Sequence, residues 1–494
     1  MIDKKLLIGQ RLSVGFDGPV IPKDFIDLVR EYKVGNVILF RRNVQSYEQL
    51  RSLCADIRTL ILNETGLEPY IMLDEECGRV SRLEHIAAAT PCALAIGATG
   101  DPENARKIGR LISEELRAAG INFNLAPVLD CLTHPEASDG NRCFATEPEK
   151  VAEFGCAYIE GLQEGGVLGC AKHFPGHGDT NVDSHLALPV VDKPYDVVWN
   201  RELVSFRAAI AAGVKGIMSA HVVFPAFEPE RIPGTVSRNV ITGLMREKLG
   251  FNGIILSDGM EMNAVMDMFG IEEGTRRALA AGIDIALICH SADQARAACN
   301  YLYEALENGT LDRAETEERY QHIAACKRSL PLKAGCEDQF GNAEQRAFAK
   351  AVMREAVRVW YAPQGQPLPK PGPDTVFLGV PARAATQASD DIPLNAAARL
   401  AEDFGGRYLG LDEAVPEGAK GAVVILDRHP ELPKALEAVR RLAAAGIQVT
   451  AVSMNVPFIL RDLPENVWQV EAWQYDRFVL EVLKDLLEKG KGQD

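Results

Sequence analysis

The chain has 494 residues, of which 47% are hydrophobic and 25% charged, and its formal net charge is -16. That length suits about two to four domains, and that composition suits an ordinary globular protein with large cores. The acidic balance, with no Lys/Arg stripe, argues against nucleic acid as a partner, because phosphate binding rests on clustered positive charge.

The apolar run near Leu6 is too short for a signal peptide, and no run of about 18 apolar residues predicts a membrane span. The 11 cysteines are odd in number, scattered and without a C-x-x-C pair. This usage fits reduced thiols, so the sequence predicts a cytoplasmic protein without a disulfide framework.

In chain order, strand-like apolar runs fall at Leu6–Val14, Val34–Phe40, Tyr70–Asp74, Asn122–Asp130, Val167–His173, Gly216–His221, Gly253–Asp258 and Asp284–His290. Short runs rich in Val, Ile and Leu suit parallel strands covered on both faces. Amphipathic stretches lie between them, most clearly Pro102–Ala119 and Tyr195–Ala212, and these read as helices. Eight such units predict a (β/α)₈ barrel over 1–335. The alternative is an open doubly wound sheet, but its G-x-G-x-x-G turn is absent. A linker follows at 336–345, then a smaller α/β sandwich domain over 346–494. That domain has a helical pattern from about Ala343 to Trp360 and strand-like runs at Thr375–Val380, Ala422–Asp427, Val449–Met454 and Val467–Glu471.

Polar residues collect at the ends of the barrel runs: Asp74, Lys172 with His173, His221, Asp258 and His290. In a barrel they ring the C-terminal mouth, where active sites sit. The segment from Lys172 to His185 is the densest, with one Lys, three His and two Asp among Gly and Pro. Gly176 and Gly178 permit tight turns around His177. Asp183 and His185, two apart, fall on one side of an extended segment, and a carboxylate beside an imidazole supports proton transfer near neutral pH.

Each residue alone has a plainer reading. A loop His is usually solvated or packed, and Asp is a common turn former. Asp74 could belong to a salt-bridge network with Glu75, Glu76, Arg79 and Arg82. Asp258 could cap the following helix. A buried unpaired carboxylate is costly, however, so Asp258 is expected to face a polar cleft. His221 and His290 could be satisfied residues of the barrel wall, and that reading is favoured for His290. His173 and His177 have the spacing of a zinc pair, but no third ligand is evident and a Pro-Gly turn separates them.

At these residues the sequence resembles glycoside hydrolase family 3, in its β-N-acetylhexosaminidase branch. The resemblance runs through Gly35–Asn43, Asp74–Arg82, Asn141-Arg142, the K-H-F-P-G-H-G-D-T…D-S-H stretch, Met218–His221, Leu256-Ser257-Asp258 and Arg354–Val357. It implies a retaining glycosidase with Asp258 as nucleophile and His185, paired with Asp183, as acid/base. Asp74, Arg82, Arg142, Lys172, His173 and His221 would bind the sugar. It implies no metal or organic cofactor and a carbohydrate substrate, a terminal β-N-acetylhexosamine on small glycans such as peptidoglycan fragments. Two positions depart from the family pattern: Cys77 replaces the first Gly of E-G-G-R, and Gly259 replaces an Asp after the nucleophile. Rival expectations are a β-glucosidase or xylosidase, a β-N-acetylglucosaminide phosphorylase, and a non-catalytic sugar-binding protein. Oligomeric state and natural aglycone are left open.

Overall fold

The computed structural model describes residues 2–133, 137, 139–180, 188–331, 337–382 and 394–489. Eight parallel strands close into a barrel: β1 (Leu12–Val14), β2 (Asn36–Leu39), β3 (Tyr70–Leu73), β4 (Phe123–Asn124), β5 (Leu168–Phe174), β6 (Gly216–Ser219), β7 (Ile254–Gly259) and β8 (Ile285–Ile288). Each pairs with its neighbours in chain order, and β8 closes on β1 with Leu12 opposite Ala286. The strands are buried on both faces. Tyr70, Met72, Phe123, Cys170, Leu256 and Leu287 fill the interior, while Val37, Ile71, Ala171 and Ile255 pack outward under the helices. Near-continuous apolar runs follow from that double burial.

Several boundaries differ from the sequence expectation. Leu6–Val14 is not one strand: Lys4–Gly9 forms a helix, capped by the Asp3 side chain accepting from the Lys5 amide at 3.0 Å, and only Leu12–Val14 is extended. A short apolar run cannot by periodicity alone separate a buried helical turn from a strand. The Asn122–Asp130 run contributes only two ladder residues, Phe123 and Asn124, with an isolated bridge from Val128 to Lys172 beyond them. Tyr195–Ala212 breaks at Arg201 into two helices. Pro102–Ala119 forms as expected, with Asp101 capping its start, Pro102 in its first turn and Gly120 in the left-handed region (φ 91°) at its end.

Beyond Ala343–Ala356, a helix, the chain builds a second sheet from β9 (Arg358–Tyr361), β10 (Thr375–Leu378), β11 (Arg407–Leu409), β12 (Gly421–Leu426), β13 (Gln448–Ser453) and β14 (Val467–Glu471). The spatial order is β9-β14-β13-β12-β10-β11, parallel except for the edge strand β9. β9 lies where the helical pattern was expected to continue to Trp360. The helix stops at Ala356 because Arg358-Val359-Trp360-Tyr361, β-branched and aromatic, pairs with β14. One face of the sheet has its own core. The core on the other face continues into the barrel's mouth loops through Cys92, Leu94, Ala95, Val128 and Leu132. Among the described residues no helix is long and apolar enough to cross a membrane.

Candidate active site at the barrel mouth

The polar run ends do converge. Asp74 directly follows β3, Lys172 and His173 lie in β5, and Asp258 is the penultimate residue of β7. Asp74, Lys172 and Asp258 all act electrostatically on the buried thiol of Cys170, and Asp74 and Asp258 both act on Cys289. Asp258 is half-buried and accepts from the Gly259 amide at 2.7 Å. A cavity of about 590 Å³ lies at the opposite end of the barrel, lined by Tyr70, Leu168, Phe251, Ile254 and Leu330, and none of these mouth residues reaches it.

An ion-pair network crosses the mouth. Lys172 Nζ stands 2.7 Å from Asp74 and 2.6 Å from Glu76. Arg142 grips Glu76 through Nε and Nη2 at 2.7 and 2.8 Å, and donates through Nη1 to Asp139 at 2.8 Å. Arg82 lies 3.7 Å from the outer oxygen of Asp74. Three cations thus face three carboxylates, which is what permits charges this deeply buried to persist. Burial alone would push the Glu76 carboxyl up, but Arg142 and Lys172 outweigh it and hold it far below the carboxylate range.

Asp130, which follows β4, organises the K-H-F-P-G-H-G loop. One oxygen accepts from both the backbone N–H and Nδ1 of His173, at 3.0 and 2.8 Å, and the other accepts from the His177 amide. The His177 ring lies 3.4 Å from Asp139 and 2.9 Å from the Thr180 hydroxyl. Burial disfavours its imidazolium, yet Asp139 and Asp130 raise its pKa to about 9. The glycines do what the sequence suggests: Gly176 sits at φ 132°, and a Cβ on Gly178 would lie 1.9 Å from the Cys131 carbonyl oxygen. Asp130, Asp139 and His173 place donor atoms within 4.8 Å of one another, a spacing a cation would accept. His177 and Arg142 already neutralise these carboxylates, and His173 Nδ1 is committed to Asp130.

Other expectations fare differently. His221 is fully buried and uses both ring nitrogens: Nε2 donates to the Gly259 carbonyl at 2.9 Å, and Nδ1 lies 2.8 Å from the Thr235 hydroxyl. It holds the end of β7 beside Asp258 and does not open onto the cleft. His290 is exposed, not a wall residue, with its ring 5.1 Å from Phe40. Cys77 keeps the hairpin of Glu75–Cys77 with Val80–Ser81, at φ 104°, and its thiol bonds to Tyr158. A Cβ on Gly259 would meet Cys289 and Met262 at ordinary contact distances, so the position has room for a side chain. Asp183 and His185 lie outside the described residues. Sequence reasoning missed Asp130 and Asp139. Asp130 ends the fourth apolar run, so the rule that found Asp74 and Asp258 also reaches it; Asp139 carries no such signal.

The second domain braces this mouth. Asn141, beside Arg142, donates to the Trp473 carbonyl at 2.8 Å, and the Cys92 amide donates to Gln474 at 2.6 Å. Arg428 donates to the Ala137 carbonyl, two residues before Asp139.

Residues 2–326 match the family described as "Glycosyl hydrolase family 3 N terminal domain". The chain belongs to glycosyl hydrolase family 3. Within family 3 it is 34% identical over 334 residues to a protein named beta-hexosaminidase A from Pseudoalteromonas piscicida, covering 63% of this chain and 56% of that one. The chain therefore spans just over half of that relative's length. It is 37% identical over 267 residues to a beta-hexosaminidase from Neisseria gonorrhoeae, covering 53% of this chain and 72% of the relative. A solved structure described as a glycoside hydrolase family 3 beta-N-acetylglucosaminidase from Paenibacillus sp. str. FPU-7 superposes with a TM-score of 0.90 at 29% identity, covering 99% of this chain and 97% of the other.

Two measurements probe this family 3 site. Because the His177 pKa is raised from 6.5 to about 9, its contribution to stability is full below pH 6.5 and is lost as pH rises through 9. Thermal unfolding of His177→Asn is expected to lack that alkaline decline. Cys77→Gly relieves a left-handed residue while giving up a buried thiol; each effect is worth about 1 kcal/mol, so stability by denaturant unfolding should change by less than about 1 kcal/mol.

Proposed function

We propose that this chain is a retaining exo-β-N-acetylglucosaminidase that removes terminal β-N-acetylhexosamine from small glycans, with peptidoglycan fragments in the cytoplasm as the natural source. Asp258 attacks the anomeric carbon while His185, oriented by Asp183, protonates the leaving oxygen. Water activated by His185 then releases the sugar with retained configuration. Asp74, Arg82, Arg142, Lys172 and His173 hold the terminal sugar, and His221 keeps the Asp258 strand end in place. Residues 1–335 carry the catalytic barrel, 336–345 the connection and 346–494 the bracing domain. No metal or organic cofactor takes part.

The observation that carries this reading is Asp258 opening, half-buried, onto the same mouth as the Lys172 network. Fixed charges there need no reorganisation when positive charge develops on the sugar ring, and such preorganised groups supply much of an enzyme's rate. The names of the relatives support the N-acetyl preference. The usual carboxylate-separation rule for stereochemistry does not apply when one of the pair is a histidine.

Aryl β-N-acetylglucosaminide is expected to turn over faster than the aryl glucoside or xyloside, and equal rates would remove the N-acetyl assignment. The rate should not depend on added phosphate; release of a sugar 1-phosphate would make the chain a phosphorylase. His185→Ala is expected to lose about 10²–10⁴-fold on substrates with poor leaving groups and far less on activated ones. A uniform loss would speak against its acid role.

A further inference from the structure

Glu75 stands in sequence between Asp74 and Glu76, yet its side chain turns away from the mouth, as alternation along an extended segment requires. Its carboxyl is buried beneath the hairpin and accepts the backbone amides of Arg82 at 2.9 Å and Leu83 at 3.2 Å, together with the Ser81 side chain. Its own backbone is clamped: Asn124 accepts the Glu75 amide at 3.0 Å and donates to the Glu75 carbonyl at 2.8 Å, and Tyr158 donates to that carbonyl at 3.2 Å. Glu75 is thus fixed to β4 and to the helix Pro148–Glu164, and through two amides it fixes the segment bearing Arg82.

We infer that Glu75 is a positioning residue that aims the Arg82 guanidinium at Asp74 and thereby sets the affinity of the terminal-sugar pocket. The inference rests on the proposed role of Arg82 in binding that sugar. The groups facing Glu75 are the Arg82 charge and the Cys77 thiol on its own hairpin, Tyr158 from the helix Pro148–Glu164, and Glu115 from the helix Pro102–Ala119. Glu115 accepts the amides of Ala88 and Gly341, both at 3.0 Å, so a second buried carboxyl ties the same stretch to the connection that leads into the second domain. Burial pushes Glu75 up to about 7 and Glu115 up to about 8. Below pH 7 Glu75 is neutral, and Asp74 lies 3.7 Å from the Arg82 guanidinium. Above it, Glu75 carries a charge that attracts the guanidinium from beneath the hairpin.

The test compares Glu75→Ala, Glu75→Gln and Arg82→Ala by steady-state kinetics on an aryl β-N-acetylglucosaminide, with folding followed by circular dichroism. Glu75→Ala strands two buried amides and is expected to raise KM roughly tenfold with little change in kcat, while Glu75→Gln keeps the acceptor and restores KM at pH 6. Wild-type KM should climb between pH 6 and 8 relative to that of Glu75→Gln. A KM for Glu75→Ala within twofold of wild type, while Arg82→Ala raises it, overturns the inference. No effect of Arg82→Ala on KM would instead sink the sugar-binding role beneath it. If Glu75→Ala fails to fold, the pH comparison decides: parallel KM profiles for wild type and Glu75→Gln overturn the inference.

Discussion

Lys172, shared between Asp74 and Glu76, is the contact on which the mouth depends. A lone ammonium buried to this degree costs several kcal/mol, and so does each carboxylate left behind without it. Satisfying them ties the end of β3 and its hairpin to β5, because Lys172 comes from a strand distant in sequence. Arg142 extends the constraint to a fourth segment by bridging Glu76 to Asp139. Asp139 then faces His177, whose backbone is held by Asp130. Rigidity at the site comes from this closed circuit of charge as much as from the barrel beneath it.

The circuit explains why a barrel that could in principle stand alone is joined to a second domain. Asp139, Asn141 and Arg142 lie on a short turn beyond β4, which has only two ladder residues to anchor it. The second domain supplies what the strand does not. It presents the Trp473 carbonyl to Asn141 and Arg428 to Ala137, and it extends an apolar core under Val128 and Leu132. Separating the domains would expose that shared core and loosen the turn that carries Arg142.

The fold was readable because a doubly covered parallel strand leaves a plain signal, a short run of Val, Ile and Leu. Asp74, Lys172 and Asp258 were readable for a related reason: they interrupt such runs at their C-terminal ends. Reading failed where a local signal was shared by two structures. Leu6–Gly9 is as apolar as a strand and is a helix, and Arg358–Tyr361 continues a helical pattern but pairs with β14. It failed again where the role lies in partners distant in sequence. Nothing near Asp139 announces His177, and nothing near His221 announces that both its nitrogens are spent on Thr235 and Gly259. Glu75 looked like one more member of an acidic cluster, and its bonds to the Arg82 and Leu83 amides separate it from its neighbours.

The charge inventory also bears on why a histidine suits the proposed acid/base position. Asp74, Glu76, Asp130 and Asp139 already crowd the mouth, and Asp258 would have to stay ionised to act as the proposed nucleophile. The cations Lys172, Arg142, Arg82 and His177 are engaged in holding those carboxylates. A further carboxylic acid, once it gave up its proton, would add a negative charge that no engaged cation is placed to absorb. Such a charge would also disfavour ionisation of the proposed nucleophile. An imidazolium gives up its proton and ends neutral, so protonating the leaving group would add no further anion to the mouth. On this view the choice of histidine is a consequence of a pocket whose binding groups are themselves heavily charged.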